Sequence, residues 1–297
     1  MQQIQWQDRF NIGVEIVDQA HRKLFSIVDK MMELYVEKHE SRFACVEGIK
    51  YFKAYALKHF AEEEAYMREI GYAGYLAHKR HHDRMRRETL PALERELYAT
   101  NFSTEAVQRF IGVCVGWLTG HILVEDRAIT GKTANALISQ RQDDELSMIR
   151  SVIIHPLQEM FGVSVQFVGD LSPGDRIADA QYYELIYRGQ KGISLRFVLI
   201  IGERLLLRAA GLLFGVESCA IDDIVHFAIR EIAQSLVHRA AACFEQDSEA
   251  YRLEEERFLD AGEYVRRFGE HTPQYSLLFA VRRDCFALCI DQIPDPG

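Results

Sequence analysis

Through residues 1–131 the apolar positions recur with the period of an amphipathic α-helix. The clearest segment, 18–38, carries apolar residues at 24, 25, 27, 28, 31, 32, 34 and 35, a broad stripe for one buried helix face. Further helices are predicted over 44–70, 73–98 and 103–130, with Gly71 and Gly131 as stops. Four helices joined by short loops predict an all-α, up-down four-helix bundle.

Beyond this region the pattern changes. Residues 132–144 are polar and predict a linker, and 145–161 predicts a helix disturbed by Pro156. Alternation with a period of two predicts strands, and the segments are 163–169, 181–188 and 192–202. Helices are predicted over 203–215 and 221–244 and a hairpin over 275–290, whereas the acidic stretch 245–260 favours neither element. The sequence therefore predicts a second, α/β domain over 145–297.

Composition and charge exclude several classes of protein. The chain has 297 residues, of which 48% are hydrophobic, and a formal net charge of −9. This charge argues against binding to nucleic acid or to an anionic membrane surface. The apolar run 111–124 is too short to span a bilayer, and the N-terminus lacks the pattern of a secretory signal. Six cysteines without a CxxC pair favour reduced thiols, so we expect a cytoplasmic protein.

Histidines and carboxylates recur along the four predicted helices. His59 with Glu63, and His78 with His82, stand four residues apart, so each pair projects from one helix face. The outer two helices add His21, His121, Glu125 and Asp126. Imidazoles with carboxylates suit iron, manganese or zinc, and bridging carboxylates favour a two-metal centre. A spacing of five from His121 to Asp126 fits one face poorly, so geometry does not select Asp126 over Glu125.

The segments "DQAHRKLF", "HFAEEEAYM", "GYLAHKRHH" and "WLTGHILVED" resemble those of bacterial hemerythrins, over about the first 130 residues. The resemblance implies two iron ions with an oxo or hydroxo bridge. One iron would take three histidines and the other two, and two carboxylates would bridge them: His78, His82 and His121; His21 and His59; Glu63 and Asp126. An open position on the two-histidine iron would then receive dioxygen.

Further residues of these helices bear on the site, and the pattern also separates this chain from other metal proteins. Four apolar residues are candidates for the wall of the dioxygen pocket: Leu24, Phe25, Trp117 and Ile122. His39 and His81 match no ligand position and are expected on the surface. Ferritin-like di-iron oxidases use Glu-x-x-His pairs, and no histidine of this chain has a glutamate three residues before it. A zinc hydrolase of the HExxH type is excluded in the same way.

The layout of 145–290, with "DDIVHFAIREIAQSLVHRAA", resembles the CheX family of chemotaxis phosphatases. That resemblance implies an α/β domain with a mainly antiparallel sheet, in which a Glu-x-x-Asn pair dephosphorylates a response regulator. The matching residues are Glu231 and Gln234, on a face away from the apolar stripe of that helix. Glutamine moves the amide outward by one methylene, so we expect weak catalysis or none.

Three functions remain open for the whole chain. The first is a non-haem di-iron, dioxygen-binding sensor or adaptor in chemotaxis-type or two-component signalling. The second is an oxygen-regulated phosphatase of a phospho-aspartyl response regulator, and the third is an oxygen storage or delivery protein. Edge strands of the second half also predict a homodimer formed through residues 145–297.

Overall fold

The structure is a computed structural model that describes most of the chain. The described residues are 4, 6–34, 42–131, 145–171, 177–189, 193–214, 223–244, 251–268 and 272–294. The chain divides into two compact units. The first comprises Met1–Ala136 and Ala210–Ile232, and the second comprises Leu137–Ala209 and Ala233–Gly297. His39 and the predicted linker 132–144 lie outside the described residues.

Helices build the first unit, as the apolar pattern predicts. In chain order they are α1 (Glu15–Met32), α2 (Arg42–Glu69), α3 (Tyr75–Arg84), α4 (Leu90–Ala99), α5 (Thr104–His121) and α6 (Arg127–Ile129). The third and fourth predicted helices each contain a π-helical turn, at Met85–Thr89 and at Ile122–Asp126. Gly71 and Gly131 adopt φ values of +66° and +68°, the left-handed conformation that ends a helix.

The fourth predicted helix is longer than its apolar run. Among the described residues, the continuous helical stretch Thr104–Ile129 is long and apolar enough to cross a membrane, by length and composition alone. Of its most apolar 18 residues, 83% are buried inside the fold, as in the core helix of a bundle. The apolar run 111–124 underestimates the length of this helix, because the helix continues through residues on both sides of that run.

The second unit is organised around a six-stranded sheet. Its strands are β1 (Val165–Asp170), β2 (Ala180–Gly189), β3 (Ile193–Gly202), β4 (Tyr251–Leu259), β5 (Tyr275–Val281) and β6 (Asp284–Pro294). Their order is β1-β5-β6-β3-β2-β4, and every described pair is antiparallel. The remaining helices of the chain are α7 (Glu145–Phe161), α8 (Glu203–Phe214), α9 (Asp223–Ala241) and α10 (Ala261–Phe268), and α8 and α9 each belong partly to the first unit. The predicted fold class, a helical region followed by a mainly antiparallel sheet with helices, is confirmed.

Two elements of the second unit were not predicted. The acidic stretch contains β4, whose side chains are buried only at its two ends. An edge strand of this kind exposes charged residues along most of its length, so it lacks the alternation that signals a half-buried strand. The short helix α10 follows, and its Phe268 joins the core beside Leu259 of β4. In addition, α7 continues through Pro156 without interruption.

Residues 210–232 belong to the first unit although they lie far along the chain. Two glycines of α5 allow the close contact. A Cβ atom added at Gly112 would lie 2.6 Å from the carbonyl oxygen of Ile224, and one at Gly116 would lie 2.3 Å from that of Ala228. Such distances leave no room for a side chain, so α5 packs backbone to backbone against this part of α9. The domain boundaries drawn from the sequence stay a prediction.

Candidate metal centre

Seven side chains of metal-binding type meet inside the first unit. Each of them is 3% exposed or less: His21, His59, Glu63, His78, His82, His121 and Asp126. They come from α1, α2, α3, α5 and the π-helical turn that follows α5. Ionisable residues are rarely buried so completely unless they are paired or bind a metal. The structure thus brings together all seven residues that the resemblance to bacterial hemerythrins implies as ligands.

Local helix geometry explains which carboxylate joins the cluster. The five-residue spacing from His121 matches the i→i+5 hydrogen bonding of the π-helical turn Ile122–Asp126. Asp126 Oδ1 therefore lies 3.0 Å from His121 Nε2. Glu125 Oε1 instead lies 3.8 Å from Nε2 of His81, a residue whose side chain is 27% exposed. Reasoning from the α-helical period could not separate these two carboxylates.

The donors form two groups that share one carboxylate. Glu63, His78, His82 and His121 make the first group, and His21, His59 and Glu63 make the second; within each, the ligand atoms lie within 4.8 Å of one another. Asp126 reaches both groups as well. Its Oδ2 atom is 3.2 Å from His21 Nε2, and its Oδ1 atom is 3.3 Å from His78 Nε2. Two ions with shared carboxylates fit this arrangement.

Several donor atoms are buried without a hydrogen bond. Among the described residues, both carboxylate oxygens of Glu63 and of Asp126, together with Nε2 of His78, have no hydrogen-bond partner. Leaving buried polar atoms unpaired costs about 1–3 kcal/mol each, and more for charged groups. A metal that accepts these lone pairs removes that cost. The donor set therefore fits a pair of cations better than it fits a hydrogen-bonded core.

Burial also prepares the site for cations. Burial, followed by the charge of neighbouring imidazoles, lowers the pKa of His59 and His78 well below the usual histidine value. Their nitrogens are consequently neutral and free to bind a metal at pH 7. Burial and the nearby Asp126 raise the pKa of Glu63 well above its usual range. Burial opposes ionisation of Asp126, but His121 and His21 hold the pKa of this carboxyl well below its usual range.

Aromatic rings cover three of the histidines, and of these rings only that of Trp117 belongs to a predicted pocket residue. Trp117 stacks on His121 with ring centroids 4.4 Å apart. Phe60 stacks on His82 at 4.3 Å, and Trp6 stacks on His21 at 6.3 Å. The contact between Trp117 and His121 also follows from the α-helical spacing, because the two residues stand four positions apart.

The four candidate pocket residues occupy different places. Leu24, Phe25 and Ile122 are at most 1% exposed, and Phe25 also packs against the ring of Trp6, with centroids 5.6 Å apart. Trp117 lies beside the three-histidine group through its contact with His121. A pocket role for all four residues stays a prediction.

The two residues of the candidate phosphatase motif are both engaged. Glu231 is 13% exposed in its side chain, and a Cβ atom on Gly116 of α5 would lie 2.8 Å from its Cβ atom. In the second unit, Gln234 Nε2 donates a hydrogen bond of 2.5 Å to Glu256 and one of 3.4 Å to the hydroxyl of Tyr183. Neither residue lies on an open, fully solvated helix face.

Comparison with known proteins places the helical region in a family. Residues 12–132 match the family model of the hemerythrin HHE cation binding domain. The bacteriohemerythrin of Clostridium acetobutylicum is 34% identical over 127 residues, which cover 41% of this chain and 95% of that protein. The bacteriohemerythrin of Pseudomonas aeruginosa is 27% identical over 128 residues, covering 42% of this chain and 78% of that protein. The chain belongs to the hemerythrin family, as its residue pattern predicts.

Solved structures of chemotaxis proteins are similar to about half of the chain at low identity. Chemotaxis protein CheX from Vibrio vulnificus is 11% identical, with a TM-score of 0.40, and covers 51% of this chain and 100% of that one. A CheC-like superfamily protein from Shewanella sp. PV-4 is 10% identical, with a TM-score of 0.39, over 52% of this chain and 99% of that one. The strand order β1-β5-β6-β3-β2-β4 describes the fold of the second unit directly.

Proposed function

We propose that this protein binds two iron ions in its helical unit, binds dioxygen there, and acts as an oxygen or redox sensor in signalling. The observation that carries the proposal is the pair of donor groups that meet at Glu63. One group offers three imidazoles and the other offers two. That asymmetry supports one iron with fewer protein ligands, and hence with room for a small molecule.

The residues assigned to each ion follow from this grouping. His78, His82 and His121 would hold one ion, and His21 and His59 would hold the other. Glu63 and Asp126 would lie between them, since the oxygens of each face both groups. When bound, ferrous ions supply the electrons that reversible dioxygen binding needs. Two carboxylates offset part of the four positive charges, which makes burial of the two ions tolerable.

In this proposal the side chains around the site exclude water and disfavour the separation of charge. Leu24, Phe25 and Ile122 are at most 1% exposed, and each stands within four residues of the predicted ligand His21 or His121. A dry, apolar surrounding disfavours charge separation, so it slows the loss of reduced oxygen species from the site. Substitution of Leu24 by serine should therefore speed oxidation of the ferrous protein by air.

Reversible oxygen binding provides the test. The ferrous protein, prepared without oxygen, should change its visible absorption on exposure to oxygen and return to the starting spectrum when oxygen is removed. His59→Ala should lose this response, whereas His155→Ala, in α7 of the second unit, should keep it. A ferrous protein that holds two irons but never responds to oxygen would contradict dioxygen binding while leaving the metal centre intact.

A second candidate function is an oxygen-regulated response-regulator phosphatase. Contact between Gly116 of α5 and Glu231 of α9 favours it, because α5 also carries the predicted ligand His121. Water attack on a phospho-aspartate requires a correctly placed amide, and the amide of Gln234 is bound to Glu256. We therefore expect slow dephosphorylation by the native protein.

The decay rate of a phosphorylated response regulator from the same organism distinguishes these functions. Gln234→Asn should raise the rate if the rest of the docking surface is intact, and Glu231→Ala should abolish any activity. If the native protein turns over rapidly and Gln234→Asn slows it, the phosphatase replaces the sensor as the leading function. An oxygen-dependent response confined to the helical unit would favour storage or delivery.

A further inference from the structure

We propose that Glu64 and Arg86 are positioning residues that orient His82 toward the metal. In this arrangement the Glu64 carboxylate accepts the Nδ1–H group of His82, so that Nε2 is the unprotonated nitrogen that faces the metal. The inference deepens the proposed function and rests on it. Glu64, which follows the shared carboxylate Glu63 in the sequence, thereby has a role of its own.

The geometry of the imidazole ring supports this assignment. His82 Nδ1 lies 3.2 Å from Oε1 of Glu64, a residue that is 5% exposed. On the opposite side of the ring, Nε2 lies 3.0 Å from His121 Nε2 and 3.4 Å from Glu63 Oε2. One ring nitrogen thus faces a carboxylate outside the cluster, and the other faces the donors inside it. A hydrogen bond at one nitrogen fixes the tautomer at the other.

Arg86 holds the carboxylate in place. Its guanidinium pairs with the same Oε1 atom of Glu64, and its Nε atom lies 3.2 Å from Asp83 Oδ1. The guanidinium also sits 5.6 Å from the centre of the Phe60 ring, and this ring stacks on that of His82. These contacts restrain the rotation of both the carboxylate and the imidazole.

His82 differs in this respect from two other histidines of the cluster. Among the described residues, Nδ1 of His21 and Nδ1 of His78 are buried without a hydrogen-bond partner. A carboxylate on the outer nitrogen makes an imidazole more basic and a stronger metal ligand. We therefore expect the removal of Glu64 to weaken chiefly the ion held by His78, His82 and His121.

The competing explanation is a plain ion pair between Glu64 and Arg86 that only stabilises the fold. Two variants separate the explanations. Glu64→Gln keeps the size of the side chain and an oxygen that can accept the Nδ1–H group, but it removes the charge. Arg86→Met removes the ion pair and leaves the carboxylate to His82 alone. A structural ion pair predicts similar losses of stability in both variants and no change in metal affinity.

Titration of the metal-free protein with Co²⁺ provides the readout. Its visible bands report the ligands without requiring redox chemistry, and competition with a chelator gives the affinity. We expect Glu64→Gln to lose about 10- to 100-fold in affinity for one of two ions, and Arg86→Met to lose less, because it keeps the carboxylate on Nδ1 and removes only the contact that holds it. The matched control is Glu62→Gln, on the same helix, whose side chain is 38% exposed and pairs with Lys58 at 3.6 Å.

Failure of the inference differs from failure of the proposed function. If the native protein binds two Co²⁺ ions and Glu64→Gln binds both as tightly, Glu64 does not position His82. If the native protein binds none, the metal centre itself is wrong. Nitrogen-15 spectra of the metal-free protein add an independent test, since the native protein should carry the proton of His82 on Nδ1. A proton on Nε2 would overturn the proposal.

Discussion

His121 Nε2 lies 3.0 Å from Asp126 Oδ1 although five residues separate the two positions. The π-helical turn Ile122–Asp126 allows this contact, because its i→i+5 hydrogen bonding matches the spacing. The adjacent Glu125 is directed to His81 instead. The turn therefore decides which of two neighbouring carboxylates belongs to the buried cluster.

The first prediction compares these two carboxylates. Asp126→Ala should reduce the iron content of the reconstituted protein from about two ions per chain to one or fewer, because Asp126 faces both donor groups. Glu125→Ala should retain both ions. Metal analysis of the two variants, prepared in parallel, provides the measurement. Loss of iron from Glu125→Ala with retention in Asp126→Ala would show that the helix register around the turn is wrong.

The second prediction concerns the stability of the metal-free protein at different pH values. Burial is the main reason why the pKa values of His59, His78 and His82 are lowered. Below a pH of about 6.5 the unfolded chain binds protons at these residues that the folded chain does not, so stability falls as pH falls. Glu63 acts in the opposite direction, because its raised pKa stabilises the folded form until pH rises through that value.

Urea unfolding of the protein, freed of metal by a chelator, measures this dependence between pH 5 and pH 8. Each pKa unit corresponds to about 1.4 kcal/mol in the free energy of unfolding. The free energy of unfolding should decrease from pH 7 to pH 5, since three histidines outweigh one glutamate. His59→Leu should make the dependence shallower. A free energy of unfolding that rises toward pH 5 would contradict the environment described for these histidines.

The third prediction concerns the contact of α5 with α9. Gly116→Leu cannot be accommodated, because a Cβ atom at that position would already lie 2.3 Å from the Ala228 carbonyl oxygen. The two segments should separate, at a cost of about 1–3 kcal/mol in stability. Cys114 is fully buried, and burial followed by the charge of Glu231 raises its pKa well above the usual value. Separation should therefore increase its reaction with iodoacetamide, as measured by mass spectrometry.

Two controls accompany that labelling experiment. Glu105→Ala changes the exposed start of the same helix and should leave Cys114 protected. Cys289, which is 4% exposed within the sheet of the second unit, should stay unreactive in every variant. If folded Gly116→Leu protects Cys114 as well as the native protein does, the packing of α5 on residues 224–231 is not present in solution.

Sequence reasoning succeeded where one regular period governs the structure. The pairs His59 with Glu63 and His78 with His82 follow from the α-helical spacing, and both pairs reach the buried cluster. That reasoning could not assign Asp126, because the π-helical turn breaks the period. It also overlooked Glu64, since the residue acts on the outer nitrogen of His82 and shares no spacing with the inner donors.

The second unit shows a similar limit. Strands β2 and β3 lie in the interior of the sheet, and the period-two pattern of residues 181–188 and 192–202 predicted them. The edge strand β4 is rich in charged residues and was not predicted, because its stability comes from hydrogen bonds to β2 rather than from buried side chains.

The fourth prediction is a homodimer formed through an edge of the sheet. Strands β1 and β4 occupy the edges, and β4 is the longer, with nine residues against six. Phe258 of β4 is 45% exposed, so Phe258→Lys should convert a dimeric protein to a monomer in light scattering. Val265→Lys, at a residue equally exposed on α10, is the matched control and should remain dimeric. A monomeric native protein would refute the dimer.

Metal content tests the central claim most directly. Protein reconstituted with ferrous iron under anaerobic conditions, and freed of loosely bound metal, should hold about two irons per chain, as two donor groups that share Glu63 require. The Glu63→Ala variant should hold fewer, because it removes the carboxylate common to both groups. A native protein that retains no iron, or that binds zinc in its place after the same treatment, would contradict the di-iron centre.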